Sequence, residues 1–271
     1  MNMNLAKTSL LLAFALSLTA CGGGGGGGGV SQPPVITDPG DTDPDDTDPD
    51  DTVNPPVVGP LSTSTADLVT YAQAGTTAGF ENGVMRSRNV KSADGVIHNA
   101  HYDSLAGSTN GRVTYVNSDG EAIYRLVGDT PTSVTAPSGV YTGEIDMSWK
   151  DGADDDLHTA SGRMAIVLNL QSGSASVDSI VDDNANNVIQ VIGSANVVGG
   201  ALKGDAMTVL VGDAEGANIR NETGTLDGVI ASGTDSSAIF GTVGSSNTAN
   251  GWEMTGGFST GFDQEHTDQL P

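Results

Sequence analysis

The amino-acid sequence predicts an all-β protein with a C-terminal eight-stranded antiparallel up-and-down barrel, preceded by a small β-rich handle-like region and a disordered tether. Glycine supplies 38 of the 271 residues, about twice its usual share of roughly 7%, which favours turns and closely packed strands over long helices. From residue 139 onward, apolar and polar residues alternate in eight segments separated by turn-forming residues. Eight such strands can close into a barrel without free edges.

Residues 1–20 have the features of a secretory signal peptide. Lys7 accompanies the apolar run Leu5–Leu18, which is too short to span a bilayer. Thr19, Ala20 and Cys21 follow, in an arrangement that resembles a bacterial lipobox. We therefore expect cleavage before Cys21 and attachment of diacylglycerol and palmitate to this cysteine, the only one in the chain. An ordinary signal peptide followed by a free thiol is the alternative.

The residues after the cysteine indicate where the anchored protein resides. Gly22 stands where inner-membrane lipoproteins usually have aspartate, so we expect lipid-anchored display on the surface of the bacterial outer membrane. Gly22–Gly29 is a run of eight glycines, and residues 31–60 contain the unit Asp-Thr-Asp-Pro-Asp twice. Glycine flexibility, aspartate self-repulsion and proline stiffness make residues 21–60 a flexible tether. Calcium binding by the alternating aspartates stays open, although the closing glutamate of an EF-hand loop is missing.

Residues 61–136 form the handle-like region. Thr65–Ala74 has apolar residues close to helical spacing and predicts one short helix. Gly111–Asn117 and Glu121–Val127 flank Ser-Asp-Gly, which predicts a hairpin. The segment Ala136–Ser138 interrupts the pattern and ends the region, and the sequence leaves open whether the region is a separate domain.

Residues 137–262 form the predicted barrel, and residues 263–271 form a polar tail. The strands are predicted at Gly139–Trp149, Gly162–Leu170, Ser174–Val181, Asn187–Val198, Leu202–Val211, Gly224–Ala231, Ser237–Gly244 and Gly251–Phe262. A β-sandwich has the same periodicity and remains an alternative. An integral membrane barrel is disfavoured, because Glu144, Asp146 and Glu253 lie opposite the apolar stripe and would cost several kcal/mol at a lipid-facing midplane.

The last predicted strands carry a short motif. It consists of Phe240 and Gly241, followed in the next strand by Glu253, Gly256, Gly257 and Phe258. This motif resembles the closing barrel motif of transferrin-binding protein B and its relatives, which include the factor-H-binding type. In that family the glycines let neighbouring strands approach while the aromatic rings plug the barrel. The resemblance covers the tether and the barrel, about half of the chain, but leaves room for one handle-and-barrel lobe where the family's full form has two.

The resemblance implies a non-catalytic surface protein that captures a ligand through its barrel and loops. The ligand would be a host protein or a carrier of iron or haem, as in iron acquisition, and a dedicated outer-membrane translocon would export the protein. The family's ligand-contacting loops have no recognisable counterpart here, so the identity of the ligand does not carry over. An envelope lipoprotein without a specific ligand is the first alternative, and a haem or small-molecule carrier is the second.

Composition and motifs limit the possible chemistry. The formal net charge of −24 repels phosphate backbones, so no nucleic-acid partner is expected. The sequence lacks a Gly-x-Ser-x-Gly turn, a His-Glu-x-x-His pair and a phosphate loop. We therefore expect no enzymatic activity and no cofactor beyond the lipid on Cys21.

Two clusters are nevertheless candidate ligand sites. His98, His101 and Tyr102 are of the types that ligate haem iron, although alternation along a strand would place the two histidines on opposite faces. Four carboxylates lie in the first barrel hairpin and form a candidate loop for a basic partner or calcium: Asp151, Asp154, Asp155 and Asp156. A polar strand edge and a solvated hairpin tip are the plainer interpretations of these clusters.

Overall fold

The computed structural model describes residues 64–91, 97–117, 120–152, 154–183, 187–213 and 219–270. Cys21, the signal peptide and the tether lie outside these ranges, so the predictions made for them stay predictions. Neither of the two helices in the described ranges has the length and hydropathy of a membrane span.

The first folded element is the helix α1 (Thr65–Gln73), within the range that the sequence predicts. Ser64 caps its first turn, because the serine hydroxyl accepts a hydrogen bond from the backbone N–H of Asp67 at 3.2 Å. Leu68 and Ala72 lie one turn apart and are fully buried against one face of a sheet. This apolar contact stabilises the helix on the sheet.

The sheet is an antiparallel meander of five strands. Its strands are β1 (Thr76–Gly79), β2 (Val84–Lys91), β3 (His98–Leu105), β4 (Gly111–Val116) and β5 (Ala122–Val127). Strands β4 and β5 form the predicted hairpin. Along β4, Val113 and Tyr115 pack towards α1, so Arg112 and Thr114 lie on the opposite face.

Eight further strands close into an antiparallel barrel. They are β6 (Gly139–Asp151), β7 (Asp154–Asn169), β8 (Ser174–Asp182), β9 (Asn187–Val198), β10 (Ala201–Asp213), β11 (Arg220–Ser232), β12 (Ser237–Asn247) and β13 (Trp252–Asp263), followed by the short helix α2 (Gln264–Thr267). Each strand pairs with its neighbour in sequence, and β13 pairs with β6. This closing ladder confirms the predicted barrel and eliminates the sandwich.

Side chains fill the interior of the barrel. Its core cluster includes Tyr141, Ile145, Met147, Trp252 and Phe258, each at most 1% exposed. The indole Nε1 of Trp252 donates to Ser245 Oγ at 3.0 Å, so this polar atom is also satisfied inside. An eight-stranded barrel is just wide enough for such a packed core. The interior of this barrel is therefore a packed core rather than an open channel.

The five-stranded sheet packs against the outer wall of the barrel. On the sheet face away from α1, Val84 and Leu105 form a buried apolar cluster with Ala231, Ala238 and Phe240 of the barrel. Burying a side chain the size of Phe240 stabilises the folded state by about 1.5–3 kcal/mol. This apolar contact holds the sheet beside the barrel strands and sets the position of the polar groups next to it.

Candidate functional site

A charged cluster joins the sheet to the barrel beside the apolar contact. Asp103 on β3 and Arg112 on β4 are direct cross-strand partners, and neither side chain is exposed. The Asp103 carboxylate accepts hydrogen bonds from Arg86 Nε and Arg112 Nη2, both at 2.6 Å. It also accepts one from Ser259 Oγ on β13 at 2.6 Å. One carboxylate therefore bonds to two strands of the sheet and to the barrel wall.

The barrel strand β6 adds two carboxylates to the charged cluster. Arg112 Nη2 lies 2.9 Å from Asp146 Oδ2, and Arg86 Nη1 lies 3.2 Å from Glu144 Oε2. Ser161 on β7 donates to Asp146 Oδ1 at 2.7 Å. The two arginines of the sheet thus face one carboxylate from the sheet and two from the barrel.

Burial and ion pairing shift the pKa values of the buried carboxylates in opposite directions. Burial alone would raise the pKa of Asp103, but the positive charge of Arg112 and the hydrogen bond and charge of Arg86 together outweigh it and hold that pKa well below its ordinary value. Burial would likewise raise the pKa of Asp146, but the charge of Arg112 and the hydrogen bonds with His101 and Ser161 together hold it well below its ordinary value. Burial and the neighbouring Asp146 together raise the pKa of Glu144. Burial lowers the pKa of His101.

The glycine pair on β13 lets the sheet approach the barrel backbone. A Cβ atom at Gly257 would lie 2.7 Å from the ring of Tyr124 and 3.0 Å from Cδ of Arg112. Glycine leaves this space open, and Arg112 donates to the Gly257 carbonyl oxygen. Gly256 faces the interior, where a Cβ atom would come within 2.9 Å of Val243. Each glycine of the pair thus admits a close contact on one side of the wall.

The other motif positions also lie on both sides of the barrel wall. Phe258 fills the interior, and its ring lies directly against Gly241 on β12. Phe240 points outward into the apolar contact with the sheet, so the expectation that both rings plug the barrel is wrong for this residue. The reason is alternation along β12, where the inward positions are Ile239 and Gly241. Glu253 is exposed near the start of β13.

An open groove of about 360 Å³ lies beside the charged cluster, between the sheet and the barrel strands β6 and β7. The sheet lines it with Arg86, Arg88, Asn99, His101, Thr114, Val116, Ala122 and Tyr124, and the barrel lines it with Glu144, Asp146, Met147, Thr159, Ala160 and Ser161. Its volume falls in the range of about 300–1,000 Å³ typical of small-molecule sites. Most of the lining residues are polar or charged, and Val116, Ala122, Met147 and Ala160 add apolar surface.

Thr114 is a groove residue with incomplete hydrogen bonding. The residue is only 4% exposed, and its Oγ1 has no hydrogen-bond partner among the described residues. A buried hydroxyl without a partner costs about 1–3 kcal/mol. Such groups are rare in folded proteins, and this oxygen is itself buried beneath the groove surface.

A β-bulge shapes the sheet wall of the groove. His98 is opposite Val116 and His101 is opposite Thr114, so β3 has one residue more than β4 between these pairs. Asn99, inside the bulge, has a φ of 48°, in the left-handed region that asparagine tolerates better than most residues. Bulges commonly re-aim side chains next to binding sites. Here the bulge places Asn99 in the lining of the groove.

The candidate haem ligands lie in different surroundings. His101 faces the groove, with Nε2 at 3.2 Å from Arg112 Nη2 and 3.5 Å from Asp146 Oδ2. Tyr102 belongs to the apolar cluster beneath α1, on the other face of the sheet. The bulge lies between His98 and His101, so simple alternation does not apply there, and the expected separation of the two histidines stays a prediction. The side chain of His98 is outside the described part of the chain, and haem binding stays a prediction.

The candidate acidic loop begins at the end of β6. Asp151 Oδ1 accepts a hydrogen bond from Arg220 Nη1 at 2.8 Å, and the guanidinium carbon of Arg220 lies 4.9 Å from the Trp252 ring centroid. Asp151 therefore takes part in the packing of this barrel end. Residues 154–156 begin β7, and their side chains are outside the described part, so ligand binding by this loop stays a prediction. Within the described ranges, no group of three or more His, Cys, Asp or Glu is placed to hold a metal ion.

Sequence reasoning missed most of the charged cluster. Arg86, Asp103 and Arg112 were not singled out, and Glu144 and Asp146 were interpreted only as the polar face of a barrel strand. Arg86, Asp103 and Arg112 lie on three different strands, of which only the strand with Arg112 is predicted from the sequence. Their pairing depends on the register between strands, and alternation along one strand gives no signal for it.

Comparison with solved structures finds a partial similarity in fold. The chain is similar to the crystal structure of isotype 1 transferrin binding protein B (TbpB) from serogroup B Neisseria meningitidis, with 10% sequence identity and a TM-score of 0.48. The match covers 68% of this chain and 36% of that one, so this chain spans about a third of that protein's length. No protein-family model and no curated protein matches the sequence.

Proposed function

We propose that this protein is a lipid-anchored, surface-exposed protein of the bacterial outer membrane that captures a ligand without catalysing a reaction. The observation that carries the proposal is the open groove between sheet and barrel, whose lining residues are mostly polar or charged. The filled barrel interior directs binding to the outside of the fold. A rigid connection between sheet and barrel, through the charged cluster, keeps the walls of the groove in place.

The sequence supports the location. Cys21 follows a short apolar segment. The glycine run and the acidic repeat after Cys21 provide a long tether between a lipid anchor and the folded residues. Export would require a dedicated outer-membrane translocon. The family resemblance favours a host protein or an iron or haem carrier as the ligand.

The charge of the folded part adds a constraint on partners. Of the 34 acids and 10 bases in the chain, 8 acids and Lys7 precede residue 61, which leaves 26 acids against 9 bases, or −17. A field of this sign accelerates association with basic partners and slows association with acidic ones. The acidic hairpin that contains Asp151 is the second surface proposed for contact with a protein partner.

Surface display is tested by adding protease to intact cells. The proposal expects cleavage of the protein on intact cells and loss of membrane association in a Cys21→Ser variant. Protein that is cut only after cell lysis would contradict the proposal.

Ligand capture is tested by affinity purification from serum and from culture medium, with the immobilised full chain. A stoichiometric partner is expected that is reduced by Arg88→Glu in the groove but retained by Lys203→Glu, the same charge reversal on the exposed face of β10. Recovery of no partner, or of the same partner with both variants, would contradict capture through the groove. A separate variant that lacks residues 151–156 tests whether the acidic hairpin contributes to capture of the partner.

A further inference from the structure

The sheet wall of the groove contains a positive charge without an acidic partner. Arg88 on β2 lines the groove and is exposed. Its Nη2 donates to the neutral Asn99 Oδ1 at 3.0 Å, and within the described residues no carboxylate forms an ion pair with Arg88. A guanidinium has several N–H donors and can hold a carboxylate through two parallel hydrogen bonds. Arg88 can therefore bind an anionic group of a ligand.

The β-bulge in β3 orients this arginine. Asn99 lies in the bulge with a φ of 48°, and its side-chain oxygen holds Nη2 of Arg88 at the groove wall. A side chain that is already held in one orientation loses less conformational freedom when it binds a ligand. The bulge thus prepares Arg88 for contact with a ligand.

The barrel wall of the groove contains a carboxylate that is only partly neutralised. The side chain of Glu144 is 26% exposed, and its Oε2 accepts from Arg86 Nη1 at 3.2 Å. Arg86 also pairs with Asp103 at 2.6 Å, so its charge is shared between two acids. The Oε1 of Glu144 accepts no hydrogen bond from the described residues. Burial and the nearby Asp146 raise the pKa of Glu144, so a bound cation would stabilise the charged form of this carboxylate.

The two open charges have opposite signs and lie on opposite walls of one groove. Arg88 belongs to the sheet and Glu144 to the barrel, and the described side chains do not form an ion pair with each other. A simple anion at Arg88 would be repelled by Glu144 and Asp146, and a simple cation at Glu144 would be repelled by Arg86 and Arg88. A ligand that carries both charges has a favourable partner on each wall.

We propose that the groove binds a small zwitterion of the amino-acid or short-peptide class, with its carboxylate at Arg88 and its ammonium group at Glu144. The groove volume of about 360 Å³ provides space for such a molecule between the two walls. Val116 and Ala122 in the lining would contact the carbon atoms of the ligand. This inference rests on the proposed capture function, because it requires the groove to be a binding site, and it specifies the chemical class that the groove recognises.

The test is a saturation-transfer NMR titration of the full chain with glycine, glycylglycine and triglycine, whose two charges lie progressively further apart. The proposal expects binding of at least one of these probes. The N-acetyl derivative of the bound probe keeps only the carboxylate, and its C-terminal amide keeps only the ammonium group. Each derivative should bind about threefold to tenfold more weakly than the zwitterion. No binding of any zwitterionic probe, or equal affinity for a singly charged derivative, would overturn the proposal.

Two variants assign the ends of the ligand. Arg88→Gln should weaken binding of the zwitterion by about threefold to tenfold but leave the affinity for the C-terminal amide unchanged. Glu144→Gln should weaken binding of the zwitterion to a similar extent but leave the affinity for the N-acetyl derivative unchanged. The matched controls are Lys203→Gln and Glu253→Gln, which remove a charge at exposed positions on β10 and β13. Equal effects of the groove variants and the controls would overturn the assignment.

The same probes separate this inference from the capture function. A partner from serum or medium whose capture depends on Arg88, together with no binding of any zwitterionic probe, would leave the capture function standing and overturn this inference.

Discussion

The carboxylate of Asp103 holds the sheet against the barrel, and its removal is the most direct test of this account. In an Asp103→Ala variant, Arg86 loses its partner at 2.6 Å, and Ser259 loses its acceptor. Arg112 keeps Asp146 at 2.9 Å, but its closest carboxylate, at 2.6 Å, is gone. A fully buried guanidinium is then left with part of its charge uncompensated.

The expected loss of stability follows from this burial. Removing one partner of a buried ion pair costs about 3–5 kcal/mol, because the remaining charge stays out of water. That is a large part of the total stability of about 5–15 kcal/mol of a typical domain. For a folded unit of this size, 1 kcal/mol shifts the unfolding midpoint by about 2–4 °C, so we expect a decrease of about 6–20 °C.

The assays are thermal unfolding and equilibrium unfolding in guanidinium chloride at pH 7. Both are followed by circular dichroism for all strands and by tryptophan fluorescence for the barrel. Both tryptophans, Trp149 and Trp252, lie in the barrel, so a sheet that detaches first separates the two signals. The matched control is Asp227→Ala, which removes a carboxylate from the exposed pair with Lys203 at 3.0 Å. Its unfolding midpoint should not change measurably. A change below about 1 kcal/mol in Asp103→Ala would refute the argument from buried charge.

Three further predictions concern the barrel wall and pH. Gly241→Ala would place a methyl group against the buried ring of Phe258 and should lower the free energy of unfolding by about 1–3 kcal/mol in chemical unfolding. Gly244→Ala is the control and should have little effect, because a Cβ atom there meets nothing closer than 3.8 Å. Equal losses of stability in the two variants would contradict this account of the packing. The pKa of Asp146 in the folded protein is below its ordinary value of 3.8, so the charge of Asp146 stabilises the folded state above pH 3.8. This contribution is lost as the pH falls from 3.8 towards the lower pKa of the folded state. An unfolding free energy that rises on acidification below about pH 4 would contradict this sign. The pKa of Glu144 is raised instead, so the charge of Glu144 destabilises the folded state above that pKa. Glu144→Gln should therefore raise the unfolding midpoint at pH 7, by an amount that becomes smaller at low pH. A lower midpoint for Glu144→Gln at pH 7 would contradict this prediction.

The barrel could be predicted from the sequence because its strands obey one simple rule. Their inner positions are apolar and their outer positions are mostly polar, so the period-two pattern marks each strand and the turn residues mark its ends. The predicted range Gly139–Trp149 matches the observed β6 (Gly139–Asp151), and the predicted range Asn187–Val198 matches β9. Closure of the barrel depends on pairing between distant strands, which periodicity leaves undetermined.

The charged cluster could not be predicted in the same way, because its positions look like solvent-facing ones. Glu144 and Asp146 do lie on the outer face of the barrel, as alternation predicts, but the sheet covers them. Asp103 has no exposed surface although its residue type is usually exposed. The bulge at Asn99 likewise depends on the pairing of β3 with β4, which the local sequence leaves unspecified.

The segment from Gly256 to Ser259 on β13 shows how one short motif can specify two interfaces. Its inward positions, Gly256 and Phe258, complete the barrel core. Its outward positions are Gly257 and Ser259. Gly257 leaves room for the Arg112 side chain, and the hydroxyl of Ser259 donates a hydrogen bond to Asp103. Because neighbouring residues on a strand face opposite sides, a slip of β13 by one residue would turn the aromatic ring towards the charged cluster and a serine towards the core. The motif therefore fixes the register of the closing strand and the attachment of the sheet together, and the attached sheet supplies one wall of the groove.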